Sequence, residues 1–279
     1  MLELNEVSLL PLIEEAQRIE TAAYLDMFYA APEHYRLEQG IRTALIGDVT
    51  CFAFKSFPAS LLNRTLCLGT SSAATEDLVR ELHSWMRTYA NPNFNLGIDI
   101  NAKPSSLRSW LESAGLAPSG GGIARFLHAE VGVAPIAGRL SVRPVQIEER
   151  HLAGQLIRTA FGFPAHFDQW FSQIIGRENW YFSFVCDGAV PVSIGALYLK
   201  DEIAWLGVGG TLKEYRTQGA QNLSLHHRVQ QALRLGAHSI HVETGHPGQG
   251  ESIGPSYRNI LRAGFKLMFV RTEFMSAPK

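Results

Sequence analysis

Near the start of the chain, Leu12, Ala16, Ile19, Ala23 and Met27 recur at three- and four-residue spacing, the period of a single helix face. This predicts an amphipathic helix over residues near 8–29, with Pro11 in its first turn. The pattern then shortens to β-rich runs at 43–54 and 64–68, followed by a helix over about 75–89 and a strand across 94–100. A short helix at 105–114 stops at Gly115, and 123–131 closes the first half as a strand. The stretch VGVAPIAGRL, Val131 to Leu140, carries no helical or strand period, so the domain boundary is expected there, giving domains 1–138 and 139–279.

The second half opens with the extended LSVRPV and helices near 148–161 and 166–175. Strands are predicted at 181–186, 192–199 and 203–211. Leu225, Val229, Ala232 and Leu233 then mark a helix that Gly236 should stop. A strand at 239–244, a short helix at 256–263 and a closing strand at 266–274 complete the order. Residues 107–116, LRSWLESAGL, align with 256–265, SYRNILRAGF, matching Gly115 to Gly264 and Leu111 to Ile260. We read this as a weak internal repeat of two related domains, of which the second has kept more chemistry.

Composition narrows the classes. No apolar run is long enough for a membrane-spanning helix, and Met1 to Glu6 has two acids and no base, unlike a secretory leader. A cytoplasmic protein is expected, with Cys51, Cys67 and Cys186 as isolated reduced thiols. The net charge of −1 hides an asymmetry. Residues 1–138 hold 10 Lys+Arg and 15 Asp+Glu (−5), and residues 139–279 hold 15 and 11 (+4). The second half is the better host for an anion, and the lack of a lysine-rich run argues against nucleic acid.

The informative stretch is Gly209 to Leu225, GGTLKEYRTQGAQNLSL, which joins a strand to a helix through a tight turn. The first turn of a helix has N–H groups without intrahelical partners, and Gly219 would let a phosphate approach them; an ordinary strand-to-helix turn remains the other reading. Gly245 to Pro255 is a second Gly-rich loop, but Gly248, Gly250 and Gly254 give GxGxxxG, one residue too long for a dinucleotide fingerprint. It reads better as a flexible flap beside an acceptor site, with Pro255 opening the next helix. His226 with His227, and His238 with His241, lack the further ligands of a metal site.

Arg216-Thr-Gln-Gly219-Ala-Gln221 resembles motif A of the GNAT family of N-acetyltransferases, whose signature is Gln or Arg, any two, Gly, any one, then Gly or Ala. The resemblance covers roughly residues 139–279, and Ser256 to Phe265 is similar to the family's fourth helix and its Gly-Phe ending. Gln221 departs from the last motif position. The resemblance implies an α/β (α+β) protein of two GNAT-like domains, each a mixed, mostly antiparallel sheet flanked by helices, with residues 1–138 a degenerate copy. It implies acetyl-CoA as acyl donor, with its pyrophosphate on the backbone of Arg216, Thr217, Gln218, Gly219, Ala220 and Gln221. The pantetheine arm would pair with Gly209, Gly210 and Thr211, and Asn259 would add a side-chain contact. No metal is implied, and the partner is an amine of a small molecule or peptide, taken up by a monomer or homodimer.

Direct transfer needs a neutral amine, so a proton must leave. Glu243 and His241 share one face of the predicted strand 239–244, with Glu243 the candidate base; a structural ion pair is the other reading. The family's general-acid Tyr position falls on Ile260, and Tyr257 lies three residues earlier as the candidate acid or as a packing residue. Phe161, Phe163, Phe167, Trp170 and Phe171 either border the acceptor pocket or pack two short helices. Gly69 to Leu78 takes the place of the phosphate turn in the first half without its Gly and Arg, so that half is expected to brace the second or shape its acceptor pocket. Ile260 and Gln221 keep a second reading open: an acyl-CoA-binding or regulatory protein that has the fold without the catalysis.

Overall fold

The computed structural model describes residues 6–129, 132 and 138–276; most of the expected boundary, Val131 to Leu140, lies outside the described residues. The chain opens with α1 (Glu6–Tyr29) and α2 (Glu33–Gln39), then the hairpin β1 (Ile41–Ile46) and β2 (Val49–Phe54), and β3 (Arg64–Leu66). Next come α3 (Glu76–Tyr89), β4 (Asn95–Ile98), α4 (Leu107–Ser113), β5 (Leu116–Pro118) and β6 (Gly122–His128). The second half contains β7 (Leu140–Pro144), α5 (Arg150–Phe161), α6 (Asp168–Phe171), β8 (Trp180–Asp187), β9 (Val190–Lys200) and β10 (Ile203–Thr211). It ends with α7 (Ala220–Arg234), β11 (Ser239–His246), α8 (Pro255–Arg262) and β12 (Phe265–Ser276).

Periodicity located most of these elements. The predicted run at 43–54 divides at Gly47, whose φ of 56° turns the β1–β2 hairpin. The helix α2 escaped notice because seven residues are too few for an apolar stripe to repeat. α1 begins two residues earlier than expected, so Pro11 falls in its second turn. The helix expected at 166–175 is only α6 plus turns: the Ser172 N–H reaches the Asp168 carbonyl at 3.2 Å, but the next bond is a tighter Gln173-to-Trp170 contact.

The strands form one sheet in the order β1-β2-β3-β4-β12-β6-β11-β10-β9-β8-β7, with β5 also on β12. β3 runs parallel to β4 with α3 between them in sequence, and β10 runs parallel to β11 with α7 between them. The glycines aligned between 107–116 and 256–265 both turn a helix end, Gly115 at φ 81° and Gly264 at φ 89°. The closing strands are exchanged between the halves. β6 pairs with β11, and β12 pairs first with β6 and then with β4, so a cut at residue 138 would strip β11 of one of its two neighbours. The mixed, mostly antiparallel sheet flanked by helices is the α/β (α+β) class expected.

Three apolar layers hold this sheet. α3 and α4 cover one face of the first half through Val79, Leu82, Met86, Leu107 and Leu111, and α7 and α8 cover the corresponding face of the second through Leu225, Val229 and Ile260. On the opposite face α1, α5 and α6 share one core with both halves, where Phe28, Phe54, Phe167 and Trp170 meet. The Trp170 indole N–H donates to the Met27 carbonyl at 2.6 Å. The first half thus packs against the helices that border the site.

Candidate active site

β10 and β11 pair in parallel from Ile203↔Ser239 to Leu206↔Val242 and then part. The cause lies in β10. Between Gly207 and Gly210 its register against β9 shifts, and Val208 takes φ 48°, the mark of a bulge. Glycine is required at 207 because a Cβ there would fall on the Trp205 indole. At Gly210 it would lie 2.7 Å from Ala160 on α5. Beyond the bulge the facing edges of β10 and β11 bound an opening between the strands.

A cleft of about 740 Å³ leads to this opening, lined by Gly209, Gly210, Thr211, Arg216, Thr217, Gly219, Ala220, Gln221 and Asn259, with Phe161 and Pro255 also on its wall. Gly219 precedes α7 with φ 85°, and a Cβ there would meet nothing within 4 Å. The backbone is left-handed and the space beside it is open, which suits close approach of a phosphate to the first N–H groups of α7. Arg216 bends back, donating to the carbonyls of Thr211 at 3.3 Å and Ala160 at 3.1 Å. Of the expected cofactor residues only Gln218 does not line the cleft; its amide donates to the Glu214 carbonyl at 2.9 Å. Arg258 and Arg262 on α8 add two cations to the cleft wall. Their spacing of four, with Asn259 between them, is the sequence signal for a shared helix face.

Gln221, the departure from the motif, is tied to α8: its amide donates to Ser256 Oγ at 3.1 Å and accepts from Asn259 Nδ2 at 2.8 Å. Gln221, Ser256, Gly209 and Phe161 also line an inner pocket of about 300 Å³, so cleft and pocket adjoin and share these four wall residues. The inner walls are mainly apolar, with Tyr24, Met27, Leu61 and Leu62 from the first half facing Ile157, Phe163, Phe171 and Trp205 from the second. The aromatic run therefore divides. Phe161, Phe163 and Phe171 line the pocket, while Phe167 and Trp170 are fully buried in the shared core.

Glu243 stands at the polar end of this pocket. Its carboxylate is paired with Arg125, accepts from Arg64 at 3.3 Å and accepts from the Tyr24 hydroxyl at 3.3 Å. Burial and the neighbouring Glu20 carboxylate push it above the usual range, against the pull of Arg125 and Arg64. Glu243 is thus ion-paired and also borders the cavity. The cluster extends across five consecutive strands: Arg64 on β3, Asp99 just past β4, Arg271 on β12, Arg125 on β6 and Glu243 on β11, with Glu20 of α1 above them. Arg64 and Tyr24 carry no signal in the sequence, because nothing local brings residues 24, 64 and 243 together.

Other expected residues lie elsewhere. Tyr257 does not line the inner pocket; its ring packs edge-on against Phe126, centroids 4.8 Å apart, and burial raises its hydroxyl. Ile260 takes the pocket wall instead. His241 is buried, bonded to Ser239 Oγ at 2.6 Å, and burial lowers its pKa. The loop at Gly248 and Gly250 does not line the pocket, and a Cβ on Gly248 would lie 3.2 Å from the Gly120 carbonyl. In the first half, where a second phosphate turn would stand, the Lys103 backbone closes the loop by bonding Gly69 at 2.7 Å and Ala74 at 2.8 Å.

No protein-family model matches the chain, and no curated protein matches it in sequence. Solved structures do match. A GCN5-related N-acetyltransferase from Kribbella flavida is 16% identical at a TM-score of 0.58, over 88% of this chain and 93% of that one. An acetyltransferase of the GNAT family from Colwellia psychrerythraea is 12% identical at 0.55, over 98% of both chains. A tandem GNAT protein from the clavulanic acid biosynthesis pathway is 12% identical at 0.53, over 77% of this chain and 75% of that one. Along nearly the whole described chain, then, this protein has the fold of the GCN5-related N-acetyltransferases.

Proposed function

We propose that the protein transfers an acetyl group from acetyl-CoA to an amine of a small molecule or peptide. The observation that carries this reading is a cleft at the open Gly219 turn that adjoins, where β10 and β11 part, an apolar pocket with one carboxylate. The residues fit the donor. An anionic pyrophosphate suits the first turn of α7, with Arg216, Arg258 and Arg262 nearby, and an extended arm suits the glycine edge from Gly210 to Gly207. The donor supplies the activated acetyl group; the chain supplies position and proton transfer.

In this reading the acceptor lies in the inner pocket, and residues 1–138 shape it through Tyr24, Met27, Leu61, Leu62 and Arg64. Residues 139–279 supply the donor cleft. Glu243 accepts the amine proton, since a carboxyl raised by burial is a better base at neutral pH than an exposed one. Tyr24, held protonated because burial raises its hydroxyl, orients that carboxylate as a donor.

Glu243→Gln should therefore lower kcat by ~10²-fold or more while leaving acetyl-CoA affinity within about twofold. Calorimetric titration with acetyl-CoA, followed by thiol release across an amine panel, checks both. The placement of Tyr257 in the core and of Ile260 on the pocket wall favours a second reading, an acyl-CoA-binding protein without turnover. Tight acetyl-CoA binding with no thiol release for any amine would select it.

A further inference from the structure

Arg228 is a buried cation without a carboxylate. It projects from α7, is 2% exposed, and lines the inner pocket beside Gly207 and Gly209. Its Nε donates to the Ser224 carbonyl at 3.2 Å, and its Nη1 donates to the carbonyls of Ala196 at 3.0 Å and Gly207 at 3.1 Å. The second terminal nitrogen, Nη2, lies 3.3 Å from where a Cβ on Gly209 would stand. Among the described residues no Asp or Glu pairs with it. The three other fully buried arginines, Arg64, Arg125 and Arg271, each touch Glu20.

Desolvating a guanidinium without an acidic partner costs several kcal/mol in principle, and burial alone lowers Arg228 to about 10. It stays charged at neutral pH. The titratable groups that face the same pocket are Tyr24, Arg64 and Glu243, and Glu243 is committed to Arg125 and Arg64. His227, next along α7, is lowered mainly by its own burial. A positive charge is thus held, uncompensated, at the point where the outer cleft opens into the pocket. Three carbonyl acceptors orient it there.

We propose that Arg228 is the site that receives the CoA thiolate as it leaves. This rests on the acetyl-CoA reading above. With a pyrophosphate at the first turn of α7 and the arm along Gly210 to Gly207, the sulfur arrives at the bulge that Arg228 underlies. The amine nitrogen bonds to the acetyl carbon, the carbon–sulfur bond breaks with its electron pair on sulfur, and the amine proton passes to Glu243. The products are the N-acetyl amine and a thiolate, which Arg228 stabilises as an ion pair without giving up a proton. Ile260 stands where a general acid is expected and can donate nothing, so charge stabilisation takes the place of protonation.

The test follows the ionisation of CoA bound to the full-length protein, read by thiolate ultraviolet absorbance across a pH series. A free thiol ionises near about 8.5. In wild type the bound thiol should ionise at least about one unit lower, a tenfold preference for thiolate. Arg228→Met should erase that shift and lower kcat, and Arg228→Lys should keep part of it, because the charge survives without the planar fork. If Arg228→Met fails to fold, wild type alone decides. Affinity for CoA should then rise with pH relative to S-methyl-CoA, whose sulfur cannot ionise. Parallel pH dependence of the two ligands, or a bound thiol that ionises where free CoA does, would overturn the assignment while leaving acetyl transfer intact. A shift that persists unchanged in folded Arg228→Met would overturn it too. Failure of both ligands to bind would instead remove the acetyl-CoA reading itself.

Discussion

Gly219→Glu is expected to reduce acetyl-CoA affinity by at least ~10²-fold in calorimetric titration, with the far-ultraviolet spectrum of the protein unchanged. Two physical effects act together. At φ 85° any side chain costs about 1–2 kcal/mol in backbone strain, and the new carboxylate would stand at the positive end of α7, where the pyrophosphate should lie. The fold should tolerate the change, because Gly219 is exposed and a Cβ there has open space. Gly219→Ala separates the two effects, since it carries the strain without the charge and should cost far less affinity. Equal, small losses in both variants would place the anion elsewhere in the cleft.

The largest stability effect is expected at Glu20→Gln, measured by urea unfolding. Glu20 is 0% exposed and accepts from Arg271 through both oxygens at 2.9 and 2.8 Å, from Arg64 at 2.9 Å, and pairs with Arg125 at 2.7 Å. Removing its charge leaves three buried guanidiniums to Asp99 and Glu243, and loss of one partner in such a cluster typically costs about 3–5 kcal/mol. The exposed pair Arg108 with Glu112 is the control, where Glu112→Gln should cost under ~1 kcal/mol.

The same residue sets an acid limb. Burial opposes the charge on Glu20, but Arg125, Arg271 and Arg64 outweigh it and hold the carboxyl well below its ordinary value. A carboxyl depressed in the folded state contributes stability that is fully present above the unfolded pKa, near 4.3, and is lost as pH falls through the lower, folded value. Wild type should therefore lose stability progressively below about pH 4. In Glu20→Gln that contribution is absent at every pH, so the acid limb should be shallower.

The legibility of the site follows the range of the interactions that build it. Gly219 and the residues around it could be read because a glycine-opened turn at a helix start is a local device, and nine of the ten expected donor residues line one cleft. Glu243 could be nominated from strand alternation, but its partners could not, because Tyr24, Arg64 and Arg125 reach it from three other elements. Tyr257 lies one turn from Ile260 in sequence, but which of the two meets the pocket depends on helix rotation: Ile260 lines it and Tyr257 packs on Phe126. Arg228 gave no signal at all. In sequence it is one charged residue on a helix, and only the packing of α7 against β9 and β10 buries it without a carboxylate.

By itself the sequence determined the order of the longer helices and strands and the glycine-opened turn at Gly219, because periodicity, glycine conformation and helix ends are properties of neighbouring residues. The tertiary structure alone decided the exchange of β6 and β12, the six-residue charge cluster across five strands and the pocket walled by both halves. Those features depend on which distant segments share a sheet, and side-chain period carries no record of that choice.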